Sequence, residues 1–145
     1  MLKYENGDPF ASGSADYTYA PDDSPRLNLE VEVEGNIRLH AVVDTGAPYF
    51  ILNPKFASQL DLSEREQVGR IKLSTRKGST DGKIYRLTLT LIATVGNSLQ
   101  IEATTFVPAD DRWDDEPSFL GLANCLDRLR FAVDPISQIF FFGKA

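Results

Sequence analysis

From Arg26 onward the chain alternates. Leu27, Leu29, Val31 and Val33 are apolar, and Asn28, Glu30, Glu32 and Glu34 between them are polar. A period of two puts one face of a strand in a core and the other in water. Gly35-Asn36 tolerates positive φ and predicts a two-residue hairpin turn, from which Ile37–Val43 returns as a second strand. Tyr49-Phe50-Ile51-Leu52 is a short apolar strand. Asn53-Pro54 then predicts a helix N-cap followed by proline at the first position. Phe56, Ala57 and Leu60 continue that helix to about Leu60. Ile71 and Leu73 alternate with Lys72 and Ser74, giving another strand. Leu87, Leu89, Leu91, Ala93 and Val95 alternate through a long one, Gly96-Asn97 predicts a second tight turn, and Leu99, Ile101 and Ala103 lead a return strand to Val107-Pro108. The polar stretch from Thr75 to Gly82 has no apolar anchor and reads as the exposed tip of a long hairpin, which buries little and is free to move.

The last third has its own pattern. Asp110 to Glu116 is an acidic loop that includes Arg112 and Trp113. Ser118-Phe119-Leu120-Gly121 is a short strand ending on glycine. Leu122, Cys125, Leu126 and Leu129 recur at helical spacing, with Asp127, Arg128 and Arg130 on the other face, and predict a helix with Cys125 in the core. Phe131-Ala132-Val133 is a strand, Asp134-Pro135 a turn, and Ile139 to Phe142 a final strand. Three consecutive phenylalanines there must be buried on both faces, within this subunit or against a partner. The count is about nine strands and two short helices, a mainly β chain with tight hairpins. Residues 1–25 are rich in Gly, Ser, Asp, Pro and Tyr without a sustained period, and read as an irregular arm before a domain of residues 26–145.

Composition narrows the function. A length of 145 residues suits one domain with a real core. The formal net charge is -6, with no basic run, which argues against nucleic acid and against an anionic membrane surface as partners. The single cysteine, Cys125, excludes an internal disulfide and a zinc cluster. The single histidine, His40, lies on a strand and reads as a surface residue, and no calcium-loop spacing occurs, so no metal and no cofactor is expected. Met1 to Asp8 has no apolar signal-peptide core, and no stretch approaches a transmembrane length, so a cytoplasmic location is expected.

Candidate chemistry sits at Val42-Val43-Asp44-Thr45-Gly46-Ala47. A buried strand should not end on a carboxylate without a reason, because burying one unpaired is costly. Gly46 suits a sharp turn. The segment therefore reads as strand, tight loop, strand, with one carboxylate held by packed flanks.

These residues resemble the active-site loop of the retroviral-type (retropepsin-like) aspartic proteases. Phe119-Leu120-Gly121 is similar to that family's second signature, two apolar residues and a glycine before a C-terminal helix. The resemblance covers Arg26 to about Phe142 and leaves the acidic loop unexplained. It implies a mainly β fold, a closed acid-protease β-barrel with a long flap hairpin and one or two short helices. It implies Asp44 as the catalytic carboxylate, supported by Thr45, Gly46 and Ala47, with Thr45 tying two such loops together. It implies a flap whose tip is Arg76, Lys77, Gly78 and Ser79, and a polypeptide substrate. Two close carboxylates sharing a proton supply both the base and the acid that amide hydrolysis needs. Only one Asp-Thr-Gly occurs, so the dyad requires two copies of Asp44 in a homodimer. The final strand, Gln138 to Phe142, is the expected interface. Where retroviral members carry an acid after Asp-Thr-Gly-Ala this chain has Pro48, and where they carry an arginine after the second glycine it has Leu122. The two losses match, since neither leaves a buried unpaired charge. The competing reading is a non-catalytic domain of the same fold that binds a peptide or a partner protein in its cleft.

Overall fold

A computed structural model describes residues 2–20, 25–62, 67–75 and 78–145. In chain order the strands are β1 (Gly13–Asp16), β2 (Thr18–Tyr19), β3 (Leu27–Val33), β4 (Ile37–Val43) and β5 (Phe50–Ile51). The helix α1 (Pro54–Ala57) follows, then β6 (Gln67–Thr75), β7 (Gly78–Leu91), β8 (Val95–Gly96) and β9 (Leu99–Pro108). A 3-10 turn (Asp111–Trp113), β10 (Ser118–Leu120), a second 3-10 turn (Leu126–Arg128), β11 (Leu129–Asp134) and β12 (Ile139–Lys144) complete the chain.

The larger sheet runs β2-β3-β4-β10-β5-β9-β7-β6, and β3 also pairs with β7. That extra pairing, Val31 opposite Leu91 and Val33 opposite Leu89, closes six strands into a barrel. The alternation read from the sequence fills it: Leu29, Val31, Val33, Leu39, Leu87, Leu89 and Ala103 all point inward and are buried. Closure leaves no open edge between these strands, which is how a barrel removes unpaired backbone groups. The structure confirms the expected mainly β acid-protease barrel.

Several boundaries differ from the sequence reading. The first turn has three residues, since Val33 pairs with Ile37. Glu34 and Gly35 take φ of 55° and 61°. Glu34 holds that conformation because its N–H donates to Thr88 O (2.8 Å) and its carboxylate accepts from Thr88 N (2.8 Å). The long strand ends at Leu91 rather than Val95, because Val95 and Gly96 leave the barrel to pair with β1. Helix α1 stops at Ala57, short of Leu60.

The predicted C-terminal helix does not form. Asn124 adopts φ 51°, a left-handed residue that a helix cannot contain, and its carbonyl accepts from Thr104 N of β9 (3.0 Å). The chain from Leu122 is a turn followed by the short 3-10 segment. Cys125, Leu126 and Leu129 still reach the core, but Leu122 is 44% exposed. Burial, with a smaller contribution from Asp127, pushes the Cys125 thiol up to about 12, so it is a core residue and not a nucleophile.

Residues 1–25, expected to be irregular, contribute β1 and β2. Strand β1 lies against β12 in a four-stranded sheet of order β11-β12-β1-β8. Its seat is prepared by Gly143, where a Cβ would come within 2.6 Å of Phe10 O. Phe140 and Phe142 are fully buried on one face, but Phe141 on the other is only half-buried, so the burial on both faces expected of three consecutive phenylalanines is not complete within this chain. The final strand is not an open edge: β11 pairs on one side of it and β1 on the other. The interface expected there is already filled by the chain's own arm.

Candidate active site

Strand β4 delivers Asp44 to the end of the barrel. The backbone N–H of Asp44 donates to Leu120 O (3.0 Å), and that of Ala47 donates to Asp44 O (3.0 Å). The N–H of Gly46 donates to Asp44 Oδ1 (3.0 Å), which fixes the carboxylate within its own turn. Gly46 does not take a positive φ. Its value is space, since a Cβ there would stand 3.2 Å from Asp44 Oδ1.

The second signature supports this loop from below. Strand β10 inserts between β4 and β5, parallel to the first and antiparallel to the second. Phe119 lies opposite Val42, and Leu120 opposite Val43. Beyond it, Leu122 N donates to Ala47 O (2.8 Å) and Ala123 N to Pro48 O (2.7 Å). Gly121 is where the two segments cross. A Cβ there would overlap Tyr49 O and come within 2.7 Å of Ala47 O and Tyr49 N. Only glycine lets the loop and the inserted strand approach this closely.

A cavity of about 230 Å³ opens beside the carboxylate, lined by Arg26, Asp44, Gly46, Ala47, Pro48, Ile51, Ser74, Thr75, Trp113 and Phe119. Asp44 is the one acid among these lining residues. The hairpin β6–β7 supplies Ser74 and Thr75 from above. Its strands pair as far as Thr75 opposite Gly78, so the polar stretch predicted to be a loop is mostly ladder. Backbone hydrogen bonds continue a ladder without apolar side chains. Below the tip, Ile71, Leu73 and Ile84 pack on Trp113, Phe119 and Val42 in a second hydrophobic cluster.

The predicted site residues are therefore only partly brought together. Asp44, Gly46, Ala47 and Phe119 share the cavity, with Leu120 and Gly121 buried behind it. Thr45 is exposed and its hydroxyl makes no hydrogen bond to the described residues. Gly78 does not line the cavity, and Ser79 lines a separate hollow with Asp81, Ala109, Asp110 and Asp111. Arg76 and Lys77 lie outside the described residues. A larger hollow of about 500 Å³, between the segment after α1, the middle of β7 and the end of β9, shares no residue with the Asp44 cavity. Among the described residues, no group of three or more His, Cys, Asp or Glu is placed to hold a metal ion. No helix among them is long and apolar enough to cross a membrane.

Residues 29–123 match the family described as "gag-polyprotein putative aspartyl protease". The chain belongs to the retropepsin-like aspartic proteases. A retropepsin-like aspartic protease from Rickettsia conorii has a similar crystal structure, with a TM-score of 0.52 and 22% identity over 90% of this chain and 89% of that one. Simian foamy virus (mac) protease is a more distant likeness, with a TM-score of 0.43 and 19% identity over 65% of this chain and 86% of the other. No curated protein sequence matches the chain.

Within this retropepsin-like protein, sequence reasoning missed two residues that build the site. Asn53, read only as a helix cap, does cap α1 through Lys55 N (2.7 Å). Its Nδ2 also donates to the carbonyls of Trp113 (3.2 Å), Asp114 (2.9 Å) and Glu116 (2.6 Å), and its N–H donates to Ser118 Oγ (3.0 Å). It pins the acidic loop to the strand that follows Asp44. Trp113, which that loop carries, is 2% exposed and packs edge-on to Phe119 with ring centroids 6.2 Å apart. A lone tryptophan in an acidic loop was the available signal, since such a ring rarely stays in water.

Proposed function

We propose that the protein is an aspartic endopeptidase whose dyad is Asp44 of two copies. The observation that carries this reading is Asp44, the one carboxylate among the described residues that line the cavity, held in a loop beneath a hairpin. One carboxylate cannot be base and acid at once. Two that share a proton can. The ionised one takes a proton from water, whose oxygen attacks the peptide carbonyl carbon, while the protonated one gives its proton to the carbonyl oxygen. As the tetrahedral diol collapses and the C–N bond breaks, the newly protonated carboxyl gives its proton to the amine nitrogen and the ionised one takes a proton from a diol hydroxyl, so the pair again shares one. Gly46, with no side chain, leaves substrate room to approach the carboxylate. The Thr45 hydroxyl ties the loops of the two copies. The hairpin that brings Ser74 and Thr75 to the cavity covers the bound peptide and excludes water.

The arm fills the edge of β12 in its own chain, so the second copy approaches through the Asp44 face. Thr45, Pro48 and Leu122 are exposed there and become the contact. The test is cleavage of a mixed peptide set from mildly acidic to neutral pH. Asp44→Asn should lose roughly 10²–10⁴-fold in rate, and the specific activity of the native protein should fall on dilution as dimers dissociate. Equal cleavage by Asp44→Asn overturns the reading. The replacement of the retroviral acid and arginine by Pro48 and Leu122 supports the competing reading of a non-catalytic peptide-binding cleft. Binding of peptides without cleavage, by native protein and variant alike, would establish it.

A further inference from the structure

The acidic loop is the one part of the domain that the family resemblance leaves unexplained, and its tryptophan reaches the hairpin over Asp44. Trp113 Nε1 donates to Thr80 Oγ1 of β7 at 3.4 Å. The same hydroxyl lies 3.3 Å from Thr75 Oγ1, and Thr75 Oγ1 donates to Gly78 O (2.7 Å). Thr80 is 1% exposed and Trp113 is 2% exposed, so the contact is dry. Thr75 and Trp113 both line the Asp44 cavity.

From these contacts we infer that Trp113 is a positioning residue: its indole N–H latches the hairpin at Thr80 and so sets where Ser74 and Thr75 stand over Asp44. An indole N–H is a donor with no other function, and a buried donor left unpaired costs about as much as the whole hydrogen bond contributes. The hairpin therefore cannot rise from Trp113 until water or a peptide group replaces Thr80. The post itself does not move with the hairpin, because Asn53 ties its loop to the barrel through three carbonyls. The ring stands in the cavity wall, so a side chain seated beside Asp44 touches the same residue that holds the roof. Occupancy of the cleft and height of the hairpin are thereby coupled.

The kinetic consequence rests on the protease reading, but the latch itself can be read without activity. Trp113 is the only tryptophan in the chain, so intrinsic emission reports on this contact alone. Thr80→Val keeps the shape and removes the acceptor, while Thr80→Ser keeps the acceptor. Thr80→Val should red-shift Trp113 emission, raise acrylamide quenching and speed hydrogen exchange in β6 and β7. Thr80→Ser should match the native protein, while Thr80→Val should unfold at a lower temperature because it leaves the buried indole N–H unpaired. For peptide cleavage, Thr80→Val should raise KM about three- to tenfold, with a smaller change in kcat and rescue by Thr80→Ser. If Thr80→Val folds and leaves emission, quenching and exchange native, the latch is wrong, whatever the kinetics. If it unfolds, Trp113→Phe, which keeps the ring and deletes the donor, must show the same faster exchange in β6 and β7 or the inference fails. If no form cleaves peptide but the spectroscopic changes appear, the latch stands and the protease reading falls.

Discussion

Gly121 shows how little room the site has at the scale of one residue. The loop that carries Asp44 passes directly over it, and the atoms a methyl group would strike are backbone atoms, which cannot rotate away. Gly121→Ala is expected to destabilise the fold by more than about 3 kcal/mol, beyond the usual cost of overpacking, and to displace the carboxylate even where the protein folds. Thermal unfolding beside near-ultraviolet circular dichroism checks both parts. Gly46 is different. Its backbone is unremarkable, and a Cβ would meet only Asp44 Oδ1 at 3.2 Å. The Asp-Thr-Gly motif was legible in the sequence, and so was the Phe-Leu-Gly that meets it. What pattern could not supply was the reason for each glycine, because neither answer is local: one is a crossing strand, the other a free approach to a carboxylate.

Among the elements, the joint between α1 and the acidic loop matters most. Asn53 sits at the end of the short apolar strand after Asp44 and faces two ways. Its oxygen caps α1, and its nitrogen holds three carbonyls of the loop that bears Trp113. Losing the cap costs about 1 kcal/mol, and leaving buried carbonyls unpaired adds about 1–3 kcal/mol. Asn53→Ala is therefore expected to lose roughly 3 kcal/mol in urea unfolding and to expose Trp113 to quencher in the native state. Asn53→Asp should keep the cap and lose the loop, separating the two roles. The cap was visible as Asn-Pro ahead of an apolar stripe. The loop contacts were not, since they join residues 60 or more positions apart.

For the whole molecule, the decisive feature is that the final strand, β12, is paired on both sides. With β11 on one side and β1 on the other, β12 itself offers no edge to a second copy, and the edges of this sheet are β11 and β8. In the proposed dimer the contact is the face around Asp44, where Leu122 is 44% exposed and bonded to the loop through Ala47 O. Leu122→Lys places like charges across the two-fold axis. It should raise the concentration at which activity and dimer appear by about tenfold or more, a cost of about 1.4 kcal/mol, and leave the monomer's thermal midpoint unchanged. Sedimentation equilibrium alongside peptide cleavage tests this.

The sequence by itself determined the barrel strands, the Asp44 loop, the strand that supports it and the burial of Phe140 and Phe142. Each depends on short-range periodicity or on a motif of a few residues. Tertiary structure alone decided the fate of the arm, the absence of a C-terminal helix and the attachment of the hairpin to Trp113. The arm orders because β12 offers it a strand edge and a glycine seat. The helix fails because Thr104 takes the Asn124 carbonyl in a left-handed turn. Those outcomes depend on which distant backbone groups find partners, and a hydrophobic pattern along the chain carries no record of them.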